Sequence, residues 1–139
     1  MILVAASASV THAAMWVESV VIAADALRER GFVLEARTAT GAMPSLEVSV
    51  RVPPDTKEEQ FIKTGLVLTK FPVSRDNLEK ADRDQELPRT EKTDRVADFV
   101  YFSKSLDRGY LTISFRCPDS KGMKHEKTYL VLLSDLNAH

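Results

Sequence analysis

Apolar residues recur at spacings of three and four at Ala13, Trp16, Val17, Val20, Ala24 and Leu27. That period predicts one long helix from about Ser9 to Arg30. Ser9 or Thr11 offers an N-cap, Arg28 and Arg30 suit the negative end of the helix dipole, and Gly31 stands where a left-handed residue ends a helix. The preceding run Ile2-Leu3-Val4-Ala5 reads equally as a short buried strand or as the first turns of the same helix.

After Gly31 the period falls from 3.6 to 2. Phe32, Leu34 and Ala36 alternate with Val33, Glu35 and Arg37, and beyond the turn residues 40–44 the alternation resumes with Leu46, Val48, Val50 and Val52 against Glu47, Ser49 and Arg51. This is the pattern of a hairpin with one wet face. Pro53 and Pro54 end it, because neither can donate a ladder hydrogen bond. Asp55 to Lys63 is expected to form a short helix, capped by Asp55 or Thr56 and stopped by Gly65. Leu66–Val73 and Asp98–Ser103 read as strands. A turn at Asp107-Arg108-Gly109 leads into Leu111, Ile113, Phe115 and Cys117 alternating with Tyr110, Thr112, Ser114 and Arg116, and Thr128–Leu133 returns after the loop 117–127.

Between Arg75 and Arg95 the alternation fails. Thirteen of these 21 residues are charged, six basic and seven acidic, and only Leu78, Ala81 and Leu87 are apolar. So little apolar surface does not offset the entropy of ordering, and residues 75–95 are expected to be a long mobile loop, or at best a frayed helix over Asn77–Arg83.

The order of elements predicts an α+β domain, with one long N-terminal helix on a mostly antiparallel, curved sheet of five to six strands. At about 4.8 Å per strand such a sheet is some 24–29 Å wide, while a helix covers about 10–12 Å. The last strand carries Tyr129, Val131 and Leu133 on one side and Leu130 and Leu132 on the other. Both of its faces therefore need apolar cover, and a homodimer is the expected source.

Length and charge narrow the field. A chain of 139 residues makes a single domain, 1–139. Nineteen bases against 20 acids give a net charge of −1, which argues against a globally basic nucleic-acid binder. The single cysteine excludes an intrachain disulfide and a CxxC zinc or redox pair. The first charged residue is Glu18, but Met1 is not followed by the basic residues of a secretory leader, and Glu18 and Asp25 interrupt any membrane span. The expectation is a cytoplasmic protein, with a truncated secretory signal over residues 1–14 as the alternative.

Candidate chemistry is sparse. Cys117, Asp119 and His125 flank one loop and could form a thiolate nucleophile with its base. Against this, Cys117 continues the inward alternation of its strand and reads as a small core residue. Arg116, Lys121, Lys124 and Lys127 make the loop 117–127 mildly basic, and Gly122 would admit a phosphate to the backbone, yet Asp119 and Glu126 offset the charge. A solvated hairpin tip is the better reading. Asp82 and Asp84 lie in a run with as many bases as would neutralise them, so no metal site is expected there or elsewhere. His12 could be a ligand at the helix start, and a capping or partly buried histidine is the better reading. The apolar opening followed by a helix has the outline of a nucleotide-binding start, but no glycine precedes Gly31, and no cofactor is expected.

These readings favour a non-enzymatic protein-binding or assembly module that acts through its sheet surface and charged loop, with another protein or itself as partner. One alternative is a small enzyme or ligand-binding protein with its pocket between the N-terminal helix and the sheet. Another is nucleic-acid contact through loop 117–127.

Overall fold

The computed structural model describes residues 15–39, 45–56, 59–78, 83–87, 95–101, 106–118 and 124–136. Its strands are β1 (Met15–Val21), β2 (Val33–Ala39), β3 (Ser45–Arg51), β4 (Gln60–Thr69), β5 (Arg83–Leu87), β6 (Val96–Tyr101), β7 (Gly109–Pro118) and β8 (Lys124–Leu132). One five-residue helix, α1 (Ala24–Arg28), links β1 to β2, and a 3-10 turn over Leu133–Leu136 follows β8.

The strands form two sheets. One has the order β1-β8-β7-β4-β5 and the other β2-β3-β6. All pairings are antiparallel except β1 with β8, which is parallel. The protein is thus mostly β, and the expected long helix on a single sheet is overturned.

Residues 15–21 of that expected helix are β1, because Val17, Val20 and Val21 are stiff β-branched side chains that favour a pleated strand. Period two fits the same residues, with Trp16, Glu18 and Val20 against Val17, Ser19 and Val21. Among the described residues of that expected helix, helical structure is confined to α1, where Leu27 is fully buried. The predicted end of the helix holds, since Gly31 has φ +95°, a backbone state that a residue with a Cβ rarely adopts.

The short helix expected over Asp55–Lys63 does not form among the described residues, and Gln60–Lys63 belong to β4. Asp55 Oδ1 accepts the Phe61 N–H at 2.9 Å and Thr56 Oγ1 accepts that of Glu59 at 3.1 Å, so the two intended caps hold a loop that feeds β4. Gly65 lies inside β4 rather than ending a helix. A Cβ there would stand 2.8 Å from Thr112 Oγ1 on the adjacent strand β7.

The core fills the space between the sheets. Leu34 and Ala36 of β2, Leu46, Val48 and Val50 of β3, and Ala97 and Phe99 of β6 face Leu66, Leu111, Ile113, Phe115, Tyr129 and Val131. Leu133 and Leu136 of the 3-10 turn belong to the same cluster.

A second apolar cluster lies on the outer face of the larger sheet. Val67, Tyr110, Leu130 and Leu132 are covered there by Val73 and Leu78 from the segment that follows β4. Val73 donates its N–H to Asp107 O at 2.8 Å, which ties this strap down. The second apolar face of β8 is therefore dressed by the same chain. The width argument for a dimer on that face loses its premise, since it assumed one sheet and one helix. The expected loop 75–95 is corrected as well: it contains β5, paired antiparallel with β4, and Leu78 is only 1% exposed. No helix among the described residues is long and apolar enough to cross a membrane.

Candidate functional site

Two places gather chemistry. The first is one end of the inner face of the larger sheet. On β8 the odd-numbered residues share the inward side of Tyr129 and Val131, which sets His125 and Lys127 there. His125 faces Cys117 across the β7–β8 pair and Trp16 across the β1–β8 pair, while Glu18 faces Lys127.

Hydrogen bonds join these residues in two groups. His125 Nε2 lies 3.1 Å from Glu18 Oε2, so that nitrogen carries the proton and donates to the carboxylate. Nearby, Arg30 donates to Tyr129 Oη at 2.9 Å and to Glu59 Oε2 at 2.6 Å, and Tyr129 Oη donates to Glu59 Oε1 at 2.8 Å. The result is a closed triangle of three bonds. The Arg30 guanidinium also lies 5.2 Å from the Tyr129 ring centre, and Lys127 Nζ lies 5.3 Å from it. Burial works against the charge of Arg30, but its bonds to Tyr129 and Glu59 outweigh that cost and raise its pKa.

Phe115 holds this end from beneath, meeting Phe32, Phe61 and Tyr129 edge-on at 6.0, 5.9 and 5.7 Å. The cavity beside it, between Arg30, Pro54 and Phe115, measures about 50 Å³. That is room for a water or two and far below the several hundred Å³ of a ligand pocket.

The structure thus brings Cys117 and His125 together and leaves the thiol unactivated. Burial raises the Cys117 pKa, Glu59 and Glu18 raise it further, and Lys127 only partly opposes them. A thiolate nucleophile requires the opposite shift. Asp119, the third member of the expected trio, lies outside the described residues, as do Lys121, Asp82 and His12.

The expected basic patch does not form one surface. Arg116 sits on β7 at an even position, on the outer side of the sheet, whereas Lys127 points inward beside Tyr129. Lys124 opens β8 at an even position, out of step with Lys127. Strand alternation places Arg116 and Lys127 on opposite faces of the sheet. Among the described residues, no three His, Cys, Asp or Glu side chains converge as a metal would need.

The second place lies beside the smaller sheet. β2 is its outer strand, and beside it lies an open groove of about 620 Å³ lined by Arg28, Leu34, Ala36, Arg37, Glu47 and Leu136, among others. This volume falls within the range of ligand sites, and it lies along a strand edge rather than between a long helix and a sheet.

Hydrogen bonding fixes which backbone groups face the groove. Val52 N–H donates to Arg95 O at 2.9 Å, so even-numbered residues of β3 point toward β6 and odd-numbered ones toward β2. Val33, Glu35 and Arg37 therefore bond to β3, and Leu34, Ala36 and Thr38 point outward. Consistent with this, the Leu34 carbonyl accepts Arg28 Nη2 at 2.8 Å. Leu34 and Ala36 are each only 2% exposed, so this stretch of the strand edge is covered.

Sequence reasoning missed both Glu59 and Arg30 as partners of Tyr129, since they are separated from it by 70 and 99 positions. The β2 edge was visible only as a wet hairpin. The chain matches no protein-family model, no curated protein and no solved structure.

Proposed function

We propose that this protein is a non-enzymatic binding module that engages another protein at the groove beside β2 and β3. The observation that carries this reading is the open groove of about 620 Å³, whose lining joins Leu34 and Leu136 to the charged residues Arg28, Glu35, Arg37 and Glu47. Glu35 and Arg37 are exposed and supply charged groups of both signs to a bound segment. The unactivated Cys117 favours binding over nucleophilic chemistry.

The test is selection of binders from a random-peptide phage library, followed by mapping of amide chemical-shift changes by NMR. Binders should shift the amides of Glu35, Arg37 and Glu47, and Arg37→Glu should weaken binding at least tenfold. Binders that shift only the Cys117–His125 end would overturn the reading.

A further inference from the structure

We infer that the outer edge of β1 is an interface on which a second copy of this chain pairs its own β1, antiparallel about a twofold axis at Ser19. The groove beside β2 plays no part in this contact.

β1 and β5 are the two edge strands of the larger sheet. An edge strand presents backbone N–H and C=O groups to any passing strand, and proteins blunt such edges with charge, proline, bulges or cover. β5 is blunted: Arg83, Asp84 and Glu86 are charged, and its register with β4 is irregular at Leu68/Thr69. β1 has one charged residue in seven, Glu18, and that carboxylate is turned inward to His125 Nε2 at 3.1 Å. Its outer edge therefore carries nothing that repels a strand.

Parity decides which groups that edge offers. Ile22, directly after β1, donates its N–H to Leu130 O at 3.0 Å, so the even residues direct their backbone groups at β8 and the odd ones, Val17, Ser19 and Val21, direct theirs away. Val17 is 53% exposed and Ser19 is exposed, which leaves room for approach at both. Val21 is half-buried against the outer cluster of Leu130 and Leu132.

An antiparallel pair centred on Ser19 sets Val17 opposite Val21 of the second copy, twice, and Ser19 opposite Ser19. All of these are odd positions, so every opposed pair is a hydrogen-bonded one. The odd side chains share the outer face, and each exposed Val17 then packs beside the other copy's outer cluster. Two serines on the axis suit the close approach and can bond to each other. An axis at Glu18 would oppose two carboxylates, which destabilises a sheet, and an axis at Val17 would leave both Val21 residues outside the pairing. Pairing at Ser19 joins two five-stranded sheets into one of ten strands. A single strand pair buries less surface than a stable dimer needs, which places the association in the transient class.

Light scattering coupled to size exclusion, run over a dilution series from millimolar protein, is expected to show mass rising with concentration from 15.5 kDa toward twice that value. Ser19→Lys and Ser19→Glu each set two like charges on the axis and should raise the dissociation constant about tenfold. An equal mixture of the two variants sets Lys against Glu and should restore association, which separates the contact from any damage to the fold that circular dichroism would show. In a Cys117→Ser background, Ser19→Cys under oxidised glutathione should close a disulfide between copies, because Cα atoms of a hydrogen-bonded antiparallel pair lie about 5.5 Å apart. Val17→Cys should not, since the two sites lie four residues apart along the pair, about 14 Å.

A mass of 15.5 kDa at every concentration, a dimer indifferent to Ser19→Lys, or a charge-swapped mixture that stays monomeric overturns the inference. A monomer whose Val17 and Ser19 amides exchange slowly also overturns it and identifies the chain itself as the cover of that edge.

Discussion

Leu78→Ala tests whether the strap after β4 is a structural part of the larger sheet. Leu78 is 1% exposed and packs with Val73 over Val67, Tyr110, Leu130 and Leu132. Truncation removes three carbons. At about 0.8 kcal/mol per buried methylene the transfer loss alone is about 2 kcal/mol. Leu→Ala substitutions in rigid cores cost about 2–5 kcal/mol, and the excess over transfer comes from a cavity that does not collapse. The strap is a single segment on the outside of a sheet and is free to settle inward, which puts the expected loss at about 2–3 kcal/mol. For a domain of this size each kcal/mol lowers Tm by about 3–5 °C, so Tm should fall by roughly 6–15 °C. Differential scanning calorimetry measures the change. A dye that fluoresces on exposed apolar surface should bind the variant more strongly below its Tm, because Leu130 and Leu132 lose cover. A Tm within about 1 °C of wild type would refute the packing argument. It would also revive the need for a second molecule on that face.

Tyr129→Phe removes the hydroxyl that links Arg30 to Glu59 and should cost about 1–3 kcal/mol by chemical denaturation, as expected for hydrogen bonds to charged groups; an unchanged midpoint would show that the triangle contributes nothing. Cys117 should react with iodoacetamide at neutral pH more slowly than a free thiol, since burial and two nearby carboxylates hold its pKa above the ordinary value; reaction at the free-thiol rate would refute this. The same shift has a consequence for stability. The folded state holds the thiol proton more tightly than the unfolded state, so Cys117 should contribute a loss of stability as pH rises from the ordinary thiol range toward its folded pKa, and Cys117→Ser should abolish that loss.

Several elements were legible in the sequence because one rule governed them. The alternation from Leu34 to Val50 is that of β2 and β3, since each strand has one wet face and one buried face. Gly31 was legible from backbone sterics alone. Met15–Val21 was not, because Trp16, Val17 and Val20 satisfy a helical period and a strand period together, and its parallel partner β8 lies more than a hundred residues away. Asp55 and Thr56 misled because the same side-chain hydrogen bonds that cap helices also tie loops. Arg83–Leu87 misled because its strand character comes from pairing with β4 rather than from apolar content. At the candidate sites, Cys117 and His125 were brought together as neighbours of one hairpin. The Arg30–Glu59–Tyr129 triangle and the groove beside β2 depend on tertiary assembly, which local pattern does not encode.

The parallel pairing of β1 with β8 bears on how the chain folds. Met15 meets Lys124 in this register, a loop closure of 109 residues, and β8 is the only strand partner of β1 among the described residues. During synthesis β1 emerges early and has no strand to join until nearly the whole domain has followed it. The hairpin β2–β3 and the antiparallel pair β7–β8 form from nearer neighbours, and the entropy of closing so long a loop places the docking of β1 late. Until then one side of β8 is an open edge next to the apolar face that carries Leu130, and that interval is the most aggregation-prone in the life of the chain. Refolding on the millisecond-to-second scale, with β1 amides the last to gain protection in pulsed hydrogen exchange, is the kinetic signature of that order of assembly.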